Sequence, residues 1–494
     1  MRSTLLRRVV PPLIGLALAF PTAALAADPT PTELQDQVTS VASALNQVWV
    51  VLAAILVLFM QAGFAMLEIG LSRMKNAGAV AGKIIINVAI SFLMFWAVGF
   101  SLAFAGTGNF AGSGGWFLDL SNYKEVFSSL AYSDTPLQAQ FFFQVVFVAA
   151  SLAIVFGAML DRTKFIAYGI FGVVFTGLIY PIVAHWTWGG GWLADAKFLD
   201  FAGSSIVHLQ GALAALAGTL ILGPRIGKFR NGKAVPIPGH SIPLAMLGVL
   251  ILWVGWMGFN PGSTLNAVGQ NFADVAVNTN LAAAAGVIGA TLSALMMFKT
   301  LDVSQMGNGA IAGLVAITAP CAFVDPWAAV IIGLVAGLAV PPLVILIDKL
   351  KVDDPIGCLP VHGVAGIWGT LAIGLFATAE RTTDIGLGKS AGLFVGGSGA
   401  QLWVQFYGIL ATVAFTFTLA ALTFLAIKYT VGLRVSEEDE LAGLDISEHG
   451  MFGYPERFLE VPGAEPQASP VGLAMSSSSG PSPTSTTSPA GGEL

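Results

Sequence analysis

The sequence predicts an all-α, polytopic membrane protein with eleven transmembrane helices in an inverted five-plus-five repeat. Three observations carry that expectation. The chain has 494 residues, of which 55% are hydrophobic and only 10% charged, whereas a water-soluble domain carries about 25% charged residues. Eleven stretches are apolar over roughly the 20 residues that a helix needs to cross the hydrocarbon core. One short pattern, an aspartate eight residues before a histidine, occurs twice: in LDFAGSSIVHL (Asp200, His208) and in VDDPIGCLPVHGV (Asp354, His362).

The N-terminus, MRSTLLRRVVPPLIGLALAFPTAALAADPT, has a basic start (Arg2, Arg7, Arg8), an apolar run and a small-residue cleavage site at Ala24-Leu25-Ala26. Residues 1–26 read as a secretory signal peptide, with a short extracytoplasmic segment at 27–47. Spans are expected at 48–70, 85–106, 139–160, 165–187, 203–222, 241–260, 278–298, 308–324, 326–347, 360–378 and 402–430, giving a transmembrane domain over 48–430. The eighth is short, and only Asp325 separates it from the ninth. Basic residues crowd alternate loops: Arg73, Lys75, Lys83, Arg162, Lys164, Arg225, Lys228, Arg230, Lys233, Lys299, Lys349 and Lys351. The other loops hold only Lys124, Lys197, Arg381 and Lys389. The positive-inside rule then puts the N-terminus outside and the C-terminus in the cytoplasm, in a cell (inner or plasma) membrane, and an odd helix number agrees.

A cytoplasmic tail is expected over 431–462, followed by a disordered Ser/Thr/Pro-rich tail over 463–494. The net charge is −6, with no long basic patch, which excludes nucleic acid as a partner. Cys321 and Cys358 lack metal-ligand spacing and fall on opposite sides of the membrane, so neither a zinc or redox motif nor a disulfide is expected.

The two Asp–His units lie 154 residues apart. Each precedes a similar helix, HLQGALAALAGTLILG or HGVAGIWGTLAIG. The first histidine opens the fifth span and the second the tenth, so the two units have opposite topology. Repeats of that kind build a site near the bilayer midplane. Hydropathy alone puts His208 toward the outside and His362 toward the inside. They meet only if each helix starts below its surface after a non-helical approach, for which Pro355, Pro360 and the WGGGW stretch provide.

An ionisable side chain inside a membrane helix is a functional candidate. Two neutral imidazoles each offer one donor and one acceptor. They suit a small polar neutral molecule, or proton relay, better than a permanent cation. Asp200 and Asp354 read as caps that accept backbone N–H bonds at the helix start; for Asp200 the competing reading is direct attraction of a cation. On the outer face lie Trp186 and Trp188, Phe259 and Ser263, and Phe143 and Phe147. Aromatic faces attract cations and a serine oxygen accepts an N–H. Trp186 and Trp192 fit an interfacial belt, and the phenylalanines either pack or form an apolar constriction. Glu68, in the first span, has no assigned role.

Between about Gln47 and His449 the ordered stretches LVLFMQAGFAMLEIGLSRMKN, WTWGGGWL, DFAGSSIVH, GWMGFNPGS, GAIAGLVAITAPCAFV, VDDPIGCLPVHGVAGIWGT and TVGLRVSEEDELAGLDISEHG resemble the ammonium transporter family (Amt/Mep/Rh), in its bacterial branch. The resemblance implies a channel-like transporter rather than an enzyme, without a cofactor, with one pore per subunit in a homotrimer. Its substrate would be ammonium or ammonia, with methylammonium as an analogue. Trp188, Ser263 and Phe147 match the external recruiting site, and Phe147 and Phe259 the stacked rings of the pore gate. His208 and His362 match the twin pore-lining histidines, and Asp200 the aspartate that holds the outer vestibule together. The tail resembles a regulatory segment that couples subunits and receives a PII-type signal protein. Two other readings stand beside it. A haem protein with His208 and His362 as axial ligands would show a Soret band. An ammonium sensor would signal through the tail, although 463–494 is short and polar for a signalling domain.

Overall fold

The computed structural model describes residues 30–269, 271–384 and 390–455. The expected signal peptide and the expected Ser/Thr/Pro-rich tail lie outside the described residues. Eleven long helices dominate: α1 (Pro31–Leu71), α2 (Met74–Phe104), α3 (Leu137–Gly157), α4 (Phe165–Asp195), α5 (Ser204–Leu222), α6 (Ile242–Gly262), α7 (Phe272–Phe298), α8 (Val303–Thr318), α9 (Pro326–Lys349), α10 (Leu359–Phe376) and α11 (Ala400–Thr430). Ten of them are long and apolar enough to cross a membrane. The exception is α8, with 16 residues, about 24 Å at 1.5 Å per residue. Length and apolarity alone therefore carry ten of the eleven expected crossings among the described residues, and the eighth is the one they leave unconfirmed. The eighth apolar stretch, expected at 308–324, stops being helical at Thr318. The carbonyls of Thr318 and Ala319 instead accept Ala202 N–H at 3.2 Å and Phe201 N–H at 3.1 Å, so the end of α8 holds the loop that leads into α5.

α1 starts at Pro31, well before the expected 48. Local chemistry sets that start. Thr30 and Glu33 form a reciprocal capping box, with Glu33 N–H to Thr30 Oγ1 at 3.3 Å and Thr30 N–H to Glu33 Oε2 at 2.7 Å. Pro31 sits where its missing donor costs nothing. Small residues let the bundle close: a Cβ at Gly337 on α9 would collide with the Gly286 carbonyl of α7, the close approach that membrane helices exploit.

The loops at one end carry a buried charge network. Arg225, after α5, binds Asp353 bidentately at 2.9 Å through both Nε and Nη2, and Asp161 at 3.2 Å. Asp161 also accepts from Arg73 at 3.1 Å, and Arg162 donates to the Asp353 carbonyl at 2.9 Å. Four loops and both halves of the chain thus meet at two carboxylates. Burial pushes the Asp353 carboxyl up, but the Arg225 hydrogen bonds and the Arg162 and Arg225 charges outweigh it and hold the group at about 2. Its usual value is about 3.9. A depressed acid stabilises fully above its unfolded value and loses that contribution as pH falls through the folded one. By linkage the contribution is about 2.5 kcal/mol. The melting temperature of the detergent-purified protein is therefore expected to fall between about pH 4 and 2, and Asp353→Asn to flatten that step; an identical acid slope in the variant would count against it.

The tail folds onto this face as α12 (Glu437–Ala442) and α13 (Leu444–His449). Buried Glu440 accepts Ile226 N–H at 2.8 Å and pairs with Arg434 at 2.7 Å. Buried Asp445 accepts Ala79 N–H at 2.8 Å, at the start of α2. Lys83, counted with a basic loop from sequence, is instead inside α2 and 3% exposed, its Nζ reaching the Thr163 carbonyl at 3.4 Å. Cys321 and Cys358 are both free and buried.

Candidate conduction site

The two Asp–His units fold the same way. Asp200 accepts four backbone N–H groups: Gly203 at 2.7 Å, Ser204 at 3.0 Å, Ser205 at 2.8 Å and Ile206 at 3.1 Å. Asp354 accepts three: Gly357 at 3.1 Å, Cys358 at 3.0 Å and Leu359 at 2.7 Å. Three residues after each aspartate a glycine turns the chain through positive φ, +116° at Gly203 and +76° at Gly357, a region open to glycine at no steric cost. Each helix then opens with a π-helical turn, Ser204–Leu209 and Leu359–Val364, and each turn carries the histidine.

The equivalence extends to a residue pair that sequence reasoning missed. Ser204 and Cys358 both lie four positions after the aspartate. Ser204 Oγ donates to the Val315 carbonyl of α8 at 2.7 Å, and Cys358 Sγ to the Ile154 carbonyl of α3 at 3.2 Å. Each half thereby pins its broken helix to a helix of the other half. Gln405 on α11 brackets the approach to α5, accepting Leu199 N–H at 3.0 Å and donating to the Leu199 carbonyl at 2.6 Å.

This construction brings the histidines together. His208 Nδ1 and His362 Nδ1 lie 3.2 Å apart, with the rings 15° from parallel and centroids 5.3 Å apart. That leaves no room for a porphyrin between them. His208 is 0% and His362 4% exposed, and His208 Nε2 is buried without a partner among the described residues. Trp256, also overlooked in the sequence, stacks on His208 at 5.3 Å and fixes its own ring by donating to Thr318 Oγ1 at 2.9 Å.

Outward from His208 the aromatic contacts continue without a break. Phe259 lies 5.5 Å from His208 between centroids, and Phe147 stacks on Phe259 at 4.0 Å. Trp188 meets Phe147 edge-on at 6.2 Å, and its indole N–H donates to the Asp200 carbonyl at 2.7 Å. Phe143 packs on Phe147 at 4.6 Å. Ser263 caps α6, its hydroxyl donating to the Phe259 carbonyl at 2.7 Å. The oxygen keeps lone pairs free to accept, while the Trp188 ring, half-buried, keeps one part exposed. Trp188, Phe147, Phe259, His208 and His362 thus form one file. Ser263 joins it through the Phe259 backbone, Asp200 through Trp188, and Asp354 through its cap on α10.

Glu68 stands apart from this file. It is 2% exposed on α1, and its Oε1 has no hydrogen-bond partner among the described residues.

The model of the Ammonium Transporter Family matches residues 48–454. The ammonium transporter Amt2 of Archaeoglobus fulgidus is 42% identical over 423 residues, covering 83% of this chain and 88% of its own. A putative ammonium transporter of Synechocystis is 39% identical over 455 residues, 89% of this chain and 95% of its own. Among solved structures, Candida albicans Mep2 superposes with a TM-score of 0.75 at 30% identity, over 86% of this chain and 92% of its own. One named Sensor Amt Protein does so with a TM-score of 0.75 at 34% identity, over 83% of this chain and all of its own. The aspartate-capped broken helices, the paired imidazoles and these matches lead to one placement: the chain belongs to the Ammonium Transporter Family.

Proposed function

We propose that the chain carries ammonium-derived nitrogen across the membrane. Ammonium is recruited at Trp188, Phe147 and Ser263, sheds a proton, and passes as ammonia behind the Phe147–Phe259 gate and beside His208 and His362. The observation that carries this reading is the buried file of rings ending in two imidazole nitrogens 3.2 Å apart. A cation–π and hydroxyl site concentrates ammonium but does not reject potassium, which has the same charge and a similar size. Rejection comes deeper, where a dry conduit makes a retained charge expensive. Ammonium escapes that cost by giving up a proton; potassium has none to give. The paired imidazoles then hydrogen-bond ammonia and hand the proton on separately. With the N-terminus outside, the recruiting site at Trp188, Phe147 and Ser263 opens to the exterior, and the reading is one of uptake. The working unit is a homotrimer, and the docked tail is the face on which a PII-type signal protein would act.

The test is current in proteoliposomes on ammonium pulses, with potassium as the comparison. Ammonium-dependent current well above the potassium current supports the reading; equal currents, or none, end it. A second expectation concerns recruitment. A cation–π contact contributes about 0.5–2 kcal/mol, so Trp188→Leu should raise the half-saturating ammonium concentration by about twofold or more. Ser263→Ala should raise it less. Unchanged concentration dependence in both variants removes the outer site from the scheme.

A further inference from the structure

α1 is longer than a membrane crossing requires. Its 41 residues extend roughly 60 Å at 1.5 Å per residue, about twice the hydrocarbon thickness. Residues 31–47 precede the family-matched region, which begins at 48, and every residue from 31 to 41 is exposed. The base of this projection is fixed. Asn46 Oδ1 accepts the N–H groups of Ala267 and Val268 at 2.8 and 2.9 Å. Trp49 stacks on Phe272 at 4.5 Å and donates to Thr264 Oγ1 at 3.2 Å. The exposed stretch 31–41 is shorter than the about 12–15 residues that hold a helix unaided in water, so its free face calls for a partner.

That face has a pattern. Leu34, Val38, Val41, Leu45, Val48, Leu52, Ile55 and Phe59 follow one another at alternating steps of four and three, and all are 46–64% exposed. This is the heptad spacing with which parallel helices seam together. The positions flanking the outer half of the row are Gln35, Gln37, Ala42 and Ala44, all uncharged, so two copies of the row meet without repulsion. The acidic residues lie elsewhere: Glu33 off the row, and Asp36 on the opposite side of the helix. Every copy of the chain inserts with the same topology. A neighbouring copy therefore presents the same row parallel and at the same height, which sets the register.

We propose that residues 31–47 form a self-association stalk, in which α1 helices of neighbouring copies pack through Leu34, Val38, Val41 and Leu45 as a parallel coiled coil beyond the bilayer surface. The stalk deepens the homotrimer reading above and rests on it. It extends the assembly with a segment that lies outside the family-matched region.

The experiment uses the full chain in proteoliposomes carrying either Val41→Cys, on the row, or Asp36→Cys, opposite it. The two native cysteines are buried. Mild oxidation should link the Val41→Cys variant into covalent pairs at several times the yield of the Asp36→Cys variant. The native mass of each variant in detergent is read in parallel. Equal yields from both positions overturn the stalk. So does an oligomeric mass without Val41→Cys linkage, an outcome that leaves the homotrimer standing. A monomeric mass overturns both. Ammonium current, measured on the same vesicles, reports separately on the transport reading.

Discussion

Replacing His208 and His362 together by alanine is expected to cut the ammonium-over-potassium preference by about tenfold or more, because two neutral hydrogen-bond partners of about 0.5–1.5 kcal/mol each disappear from the proposed conduit. The effect should be larger than that of either single change, since each single variant keeps one imidazole as a hydrogen-bond partner. The loss should be one of selectivity and rate rather than of folding. Position 208 stays flanked by Trp256 and Phe259, and a methyl group leaves no buried polar atom behind. The measurement is current in proteoliposomes under matched ammonium and potassium gradients. A double variant with the wild-type current and ion preference would remove the histidines from the mechanism.

Asp200→Ala is expected to be the most destabilising single change at the site. The carboxylate, 4% exposed, accepts four N–H groups that have no other acceptor close by in the turn. Each buried donor left without a partner costs about 1–3 kcal/mol. A total of about 4 kcal/mol approaches the whole stability of many domains. The variant should melt far below wild type in detergent, or fail to accumulate. Asp354→Ala, which strands three N–H groups, should behave alike but less severely. The same comparison settles the competing role of Asp200. An Asp200→Ala protein with the wild-type melting temperature but a raised half-saturating ammonium concentration would show a cation attractor rather than a cap.

The sequence displays the Asp–His spacing and the apolar spans because both depend on residue identity at fixed separation. It hides what depends on geometry. Ser204 and Cys358 play one role through different chemistry, and nothing short of their carbonyl partners on α8 and α3 pairs them. Trp256 looks like any buried aromatic until its ring is found against His208. Charge counting placed Lys83 in a loop, and hydropathy carried the eighth span past Thr318, because neither sees tertiary hydrogen bonds. The early start of α1 has a different cause. A hydropathy window rejects a stretch with Glu33 and Asp36, yet the capping box at Thr30 and the alternating four-and-three spacing were present in the letters.

The Nδ1-to-Nδ1 contact has a consequence for direction. Two neutral imidazoles joined at those atoms hold one proton between them. The ring that donates must have a bare Nε2, and the ring that accepts must carry its hydrogen there. The pair is therefore a two-state register, polarised one way or the other along the file. Each proton that hops across flips the register, and a second cannot follow in the same direction until the rings are reset. Charge would leave in single, countable steps, and heavy water should slow the cycle more than it slows the passage of ammonia.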